Sequence, residues 1–249
     1  MSVRIAMWSG PRNISTALMR SWSSRSDCFV SDEPLYAHYL SELEEKKRRE
    51  HPVYDEVMRS QPTDWREVAN DLTGRIPKGK RVWYQKHMAH HLTEGMSWDW
   101  ISSLTNCFLI RDPASMITSF IKVIANPTPK DLGLPQQLEL FEWLRRETGA
   151  APIVIDSRDV LTAPCGMLAR VCEHVGVPFE ESMLAWEPGT RDEDGVWAPH
   201  WYAGVYQSTG FSPYQEKNET VPEHLHNVLD ECNEMYETMA AQKICLELE

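Results

Sequence analysis

The stretch "RIAMWSGPRNISTALMRSW" (residues 4–22) opens as an apolar run of strand length and closes as a helix beginning at Ser15. Between the two lies a turn made of Gly10, Pro11, Arg12, Asn13, Ile14, Ser15 and Thr16. A strand that passes through a polar turn into a helix N-terminus presents unpaired backbone N–H groups and the positive end of the helix dipole to an anion. A nucleoside-triphosphate loop of the form G-x4-G-K-[ST] uses lysine on the phosphates and a hydroxyl on magnesium. Here Ser15, Thr16 and Ala17 stand where that pattern has glycine, lysine and the hydroxyl. The turn keeps the amides and the Ser15 and Thr16 hydroxyls, with Arg12 as its positive charge. The plainer alternative is an ordinary strand–helix turn with a surface arginine.

Outward from this turn the chain alternates strand and helix. "CFVSDEP" (28–34) reads as a second strand ending in an acidic turn, and "YLSELEEKKRREH" (39–51) as a solvated charged helix. "RVWYQKH" (81–87) is a third strand, aromatic and alternating. "NCFLIRDP" (106–113) has the continuous apolar run of a buried parallel strand. A helix is expected at 114–124, with Asp112-Pro113 suited to its start. Further helices are expected at 136–149 and 164–177, with a fifth strand, "APIVIDS" (151–157), between them. The pattern predicts an α/β fold of the P-loop type: a three-layer sandwich whose mostly parallel sheet of about five strands carries helices on both faces. One domain over 1–249 is expected, with a long aromatic loop at 190–220 and a C-terminal helix at 222–243. In such sheets ligands sit at the carboxyl ends of the strands. Asp32-Glu33, Lys86-His87 and Arg111-Asp112 each follow a strand and are expected to converge there with the first loop.

Composition narrows the partners. A net charge of −12 argues against a general nucleic-acid or anionic-membrane binder, while leaving room for one basic pocket. No run approaches the ~18 apolar residues of a membrane span, and the N-terminus has no signal-peptide pattern. The six cysteines are scattered without a CxxC pair and read as free thiols of a reducing, cytoplasmic environment.

Two motifs now resemble one known family. "SGPRNISTAL" (9–18) is similar to the 5′-phosphosulfate-binding loop of the sulfotransferases. "LIRDPASMITSFIKV" (109–123) is similar to the same family's 3′-phosphate segment, in which a strand-end arginine is followed by a serine on the next helix. Arg111 and Ser119, eight apart, fit that spacing, and two helical turns can bring them to one phosphate. Residues 153–189 resemble the family's closing strand and helix, with Asp156 and Asp159 near its usual acidic pair.

The resemblance implies a bacterial-type sulfotransferase that moves the sulfuryl group of 3′-phosphoadenosine 5′-phosphosulfate (PAPS) in line to a hydroxyl or amine of a small-molecule acceptor. It leaves adenosine 3′,5′-bisphosphate (PAP) and needs no metal. Arg12 and the amides of the first loop would stabilise charge on the leaving phosphate. Two general bases stay open. His87 resembles a Lys-Thr-His turn and lies 24 residues before Arg111. Glu33 resembles a Glu-Pro turn after the second strand. A metal site from His87, His90 and His91 is disfavoured, because no further ligand follows at useful spacing. The resemblance also implies that 190–220 is a lid over the nucleotide, bringing Ser208, Thr209 and Lys217 to it, and its acids and aromatics would suit a cationic acceptor or simply pack the lid. The competing readings are an ATP-dependent small-molecule kinase and a catalytically inactive nucleotide-binding module.

Overall fold

The computed structural model describes residues 2–216 and 219–246. In chain order the elements are β1 (Val3–Ser9), α1 (Ser15–Ser23), β2 (Cys28–Asp32), α2 (Tyr36–Glu42), α3 (Glu45–Arg48), α4 (Tyr54–Ser60) and α5 (Trp65–Thr73). Then come β3 (Val82–Met88), β4 (Thr105–Ile110), α6 (Pro113–Phe120), α7 (Pro129–Leu132), α8 (Leu134–Thr148) and β5 (Ile153–Asp156). The chain closes with α9 (Ser157–Thr162), α10 (Pro164–His174), α11 (Ala198–Trp201), α12 (Ala203–Tyr206) and α13 (His226–Ala240).

The five strands form one parallel sheet in the order β2-β3-β1-β4-β5. Strand β1 is central, so the loop that leaves it lies between the carboxyl ends of β3 and β4. Side chains alternate across the sheet and divide the core in two. Ile5, Met7, Val30, Val82, Tyr84 and Leu109 face α1, α2 and α10, where they meet Leu18, Met19, Trp22, Leu40, Met167 and Leu168. Ala6, Trp8, Trp83, Phe108 and Val154 face α5, α8 and α13, against Leu72, Leu140, Phe141 and Met239. A third cluster around Met116, Ile117 and Phe120 fixes α6 to α7, α8 and α13. The three-layer α/β architecture expected from the strand–helix alternation is the one observed.

The charged run departs from expectation. In place of one helix over 39–51, α2 stops at Glu42 because Leu43 turns extended, and α3 restarts at Glu45. Arg48 donates to the carbonyls of Ser41 (3.0 Å) and Leu43 (2.9 Å), which gives the freed backbone acceptors a partner. The C-terminal helix starts later than 222, with a 3-10 turn at Glu223–Leu225 leading into α13. Among the described residues no helix is long and apolar enough to cross a membrane.

Candidate active site

The first loop is packed from behind before it can hold anything in front. A Cβ on Gly10 would lie 2.3 Å from the Leu132 carbonyl oxygen and 2.7 Å from Met116 Cε, so only glycine lets β1 turn against α6 and α7. With its amide oriented to satisfy both neighbours, Gln137 accepts from Gly10 N (2.9 Å) and donates to Leu109 O (3.3 Å). Asn13 ties the loop to the same carbonyl, Nδ2 to Leu109 O at 3.1 Å, while its Oδ1 accepts from Ile14 N at 2.9 Å. Arg12 sits in the left-handed region at φ 56°, a conformation a non-glycine residue keeps only where its surroundings impose it.

Helix α1 then begins without a side-chain cap and without an acid in its first turn. Of the other helices that leave strand ends, α2 is also uncapped, whereas those that follow β4 and β5 carry an aspartate cap. Asp112 caps α6 by accepting from Ser115 N, and Asp156 caps α9 by accepting from Arg158 N. The α1 terminus therefore keeps its donors and dipole for an external anion. Ser15 and Thr16 lie buried in that first turn.

Arg12 Nε donates to Ser119 Oγ at 3.1 Å, and Arg111 Nη1 donates to the Arg12 carbonyl. The residues singled out in the two motifs thus form one cluster across β1, β4 and α6. Burial lowers the Arg111 pKa, and the nearby Arg12 charge adds to that, while Asp112, Tyr214 and Asp156 oppose it. An anion between the two guanidiniums would relieve their mutual repulsion. Arg158 stacks over the Tyr214 ring at 5.2 Å, an aromatic–cation pair in the last part of the lid that the motif reading missed.

At the ends of β2 and β3 a second cluster forms. Asp32 and Lys86 are register partners, and both point to the α1 face. Lys86 Nζ donates to Asp32 Oδ1 (2.9 Å), Glu33 Oε1 (2.5 Å) and the Tyr202 hydroxyl (2.6 Å). The other Glu33 oxygen, Oε2, lies 4.0 Å from His91 Nε2. Glu33 too has a left-handed backbone, φ 43°, held by Glu33 N to Lys86 O (3.0 Å) and by Gln61 Nε2 to Glu33 O (3.1 Å). Burial raises the Glu33 pKa above the usual carboxylate value; Lys86 opposes this and Asp32 reinforces it. For Lys86 burial alone would lower the pKa, but the Asp32 and Glu33 carboxylates hold it well above that of an ordinary lysine.

His87 goes elsewhere. As the next residue along β3 it points to the opposite face of the sheet, stacked on Trp8 with centroids 4.2 Å apart. Its Nε2 lies 3.3 Å from Gln85 Oε1, Nδ1 has no partner among the described residues, and burial drops its pKa to about 3. The structure brings Glu33, not His87, to the side of the sheet that carries α1. His90 and His91 belong to a 3-10 turn, with His91 stacked on Tyr36 at 4.9 Å. Among the described residues no group of three or more His, Cys, Asp or Glu side chains could hold a metal ion.

The 190–220 segment, expected to be a lid, is fastened by side chains that point inward. Buried Arg20 makes a bidentate pair with Asp194, both contacts 2.7 Å, and Ser23 Oγ donates to Glu193 at 2.5 Å. Trp197 packs into the core beside Tyr36, and Tyr202 reaches Asp32. Much of the lid's acid and aromatic content therefore holds the lid down, which removes the main ground for a cationic acceptor. The structure does not bring Ser208 and Thr209 to the first loop. Ser208 Oγ accepts from Trp186 Nε1 (3.0 Å), and Thr209 O accepts from Trp186 N (3.1 Å). That strip lies beside Ala185, whose carbonyl accepts from Ser24 at the C-terminal end of α1, a whole helix from the anion loop. Lys217 lies outside the described residues.

The chain matches the family described as sulfotransferase domain over residues 3–243. It is 34% identical over 233 residues to branched-chain-amino-acid aminotransferase-like protein 2 of Arabidopsis thaliana, covering 93% of this chain and 40% of that protein. The like-named protein 1 is also 34% identical, over 232 residues and with the same coverage. The chain thus spans only 40% of the length of these relatives. Among solved structures it resembles the sulfotransferase domain of the Synechococcus PCC 7002 olefin synthase, with a TM-score of 0.59 and 15% identity, covering 100% of this chain and 98% of that one. It also resembles a sulfotransferase from Alicyclobacillus acidocaldarius, with a TM-score of 0.52, 13% identity and 98% of both chains covered. The fold agrees with both structures, and the family match takes in the uncapped α1 terminus, the Arg12–Ser119–Arg111 cluster and the carboxylates at the end of β2: the chain belongs to the sulfotransferase domain family.

Proposed function

We propose that the chain transfers a sulfuryl group from PAPS to a hydroxyl or amine of a small-molecule acceptor, releasing PAP. The observation that carries this reading is the joining of the uncapped α1 terminus to Arg12, Arg111 and Ser119 in one cationic site without a phosphate-loop lysine. That donor set suits a ligand with two anionic groups. The first-turn amides of α1, with Ser15 and Thr16, would take the 5′ end, and Arg111 with Ser119 the 3′-phosphate. Arg12 lies in the loop before α1 and bonds Ser119, so it links the two parts.

In the transfer the S–O bond to the 5′-phosphate breaks as the acceptor oxygen or nitrogen bonds to sulfur. Charge then grows on the leaving phosphate, where the α1 amides and the Arg12 guanidinium stabilise it without a metal. The acceptor gives up a proton, and Glu33 is the group we assign to take it. Its Oε2 is not held by Lys86, and burial makes it a better base than a free carboxylate. His87 is sealed beneath Trp8 and is not part of this proposal. None of the six cysteines is in a disulfide, which suits a reducing, cytoplasmic compartment.

A thermal-shift panel tests the reading. PAP without magnesium should stabilise the protein, while ATP with magnesium should do little. The reverse order would favour the kinase reading, and no shift with either would sink the donor assignment. Labelled PAPS offered with a panel of phenols, alcohols and amines then reports on transfer itself.

A further inference from the structure

Asp32 makes more contacts than a structural carboxylate at a strand end needs. Its Oδ1 accepts from Lys86 (2.9 Å), both oxygens lie 2.8 Å from the Tyr202 hydroxyl, and Oδ2 accepts from Gly195 N (3.1 Å). Lys86 belongs to β3, whereas Gly195 and Tyr202 belong to the lid, 163 and 170 residues along the chain. The Asp32 and Lys86 side chains are both 1% exposed. A single buried carboxylate therefore joins the sheet, the site lysine and the lid.

We propose that Asp32 is a positioning residue that latches the lid onto the strand ends and, by sharing Lys86 with Glu33, keeps Glu33 a base. The second half rests on the assignment of Glu33 in the proposed transfer. The charge count explains it: one ammonium stands between two carboxylates, so it cannot neutralise both. If Asp32 becomes neutral, Lys86 is left to Glu33 alone, which holds its proton less tightly and accepts one less readily. The groups that face Glu33 are Lys86 from β3, Asp32 from β2, His91 from the 3-10 turn, Tyr36 from α2 and Tyr202 from the lid. His91 is neutral, its pKa held well below the ordinary value chiefly by burial, and burial raises those of Tyr36 and Tyr202. Asp32 and Lys86 are thus the charged neighbours that set the Glu33 titration.

The test reads each half without an acceptor. Carbon-13 NMR of chains labelled at the Asp and Glu carboxyls, with Glu33 assigned by Glu33→Gln, follows the Glu33 titration. Hydrogen exchange over 191–206 follows the latch. In Asp32→Asn the Glu33 midpoint should move down, and the lid amides should exchange about tenfold faster, as loss of a charged buried hydrogen bond implies. In Tyr202→Phe, which keeps every charge, lid exchange should quicken while the Glu33 midpoint does not fall. An Asp32→Asn chain with an unmoved Glu33 midpoint overturns the sharing, and unchanged lid exchange in both variants overturns the latch. Should Asp32→Asn fail to fold, Lys86→Gln tests the sharing, because the Glu33 midpoint must then rise; an unmoved midpoint overturns it. A wild-type chain that transfers nothing overturns the proposed function, and these two readouts still stand.

Discussion

Arg12 Nε and Ser119 Oγ, 107 residues apart in the chain, meet at 3.1 Å. The contact turns two sequence motifs into one site, since Arg12 comes from the loop after β1 and Ser119 from the helix after β4. Arg111 completes it by donating to the Arg12 backbone and so holds the loop in its left-handed turn.

We expect Arg12→Ala and Arg111→Ala each to weaken PAP by about 1.5–3 kcal/mol, roughly ten- to a hundredfold in Kd, the scale of a hydrogen bond to a charged group. Ser119→Ala should cost less alone. The Arg12→Ala and Ser119→Ala losses should not add, because both remove parts of one contact. Calorimetric titration of PAP into the single and double variants checks this, and strict additivity would show that the contact is not used in binding.

The two general-base candidates separate on the same geometry. Glu33→Gln should lose about 10²–10⁴-fold in kcat, the usual worth of a positioned base, with PAP affinity little changed. His87→Gln should keep kcat within a few fold and lower stability, since its ring packs on Trp8. Single-turnover transfer with labelled PAPS makes the comparison, and inactivity of His87→Gln in a folded chain would reverse the assignment.

What the sequence made legible was local. The β1–turn–α1 unit, the five strands, and the Arg111–Ser119 pair on a strand and its following helix all rest on short-range spacing. The alternation of "RVWYQKH" already puts Lys86 on the face of Tyr84 and His87 on that of Trp83. Nothing in that pattern says which face carries α1 and the 190–220 segment, so the sequence leaves the choice between His87 and Glu33 open. The Lys86–Asp32–Tyr202 cluster and the Arg20–Asp194 pair need contacts 54, 170 and 174 residues apart, which no periodicity encodes. Ser208 and Thr209 are expected at the nucleotide only through the family's lid, and the packing of Trp186 turns them toward the far end of α1 instead.

Gly10 and Arg20 bear on stability rather than chemistry. Gly10→Ala drives a Cβ into the Leu132 carbonyl at 2.3 Å, so we expect a loss of about 1–3 kcal/mol, the range for an overpacked site. Arg20→Met leaves Asp194 buried without its cation, for about 3–5 kcal/mol. Urea denaturation measures both. Only Arg20→Met should also speed proteolysis within 186–206, because Arg20 pins the lid and Gly10 does not touch it.

Buried histidines give the fold a pH limit. Burial holds His87 and His90 at about 3, whereas an unfolded chain titrates near the ordinary value of about 6.5. Between those values the unfolded state binds more protons, so falling pH favours unfolding. Each histidine should remove about 1.4 kcal/mol of stability per pH unit below about 6.5. Glu33 acts in the opposite sense: its raised pKa makes protonation favour the folded chain as pH falls toward the unfolded carboxylate value. The histidines outnumber it, so urea midpoints measured from pH 7 to 4 should fall. His87→Phe keeps a ring beside Trp8 and should flatten that fall by about 1.4 kcal/mol per pH unit. A slope that His87→Phe leaves unchanged would show that His87 is not held neutral in the folded protein.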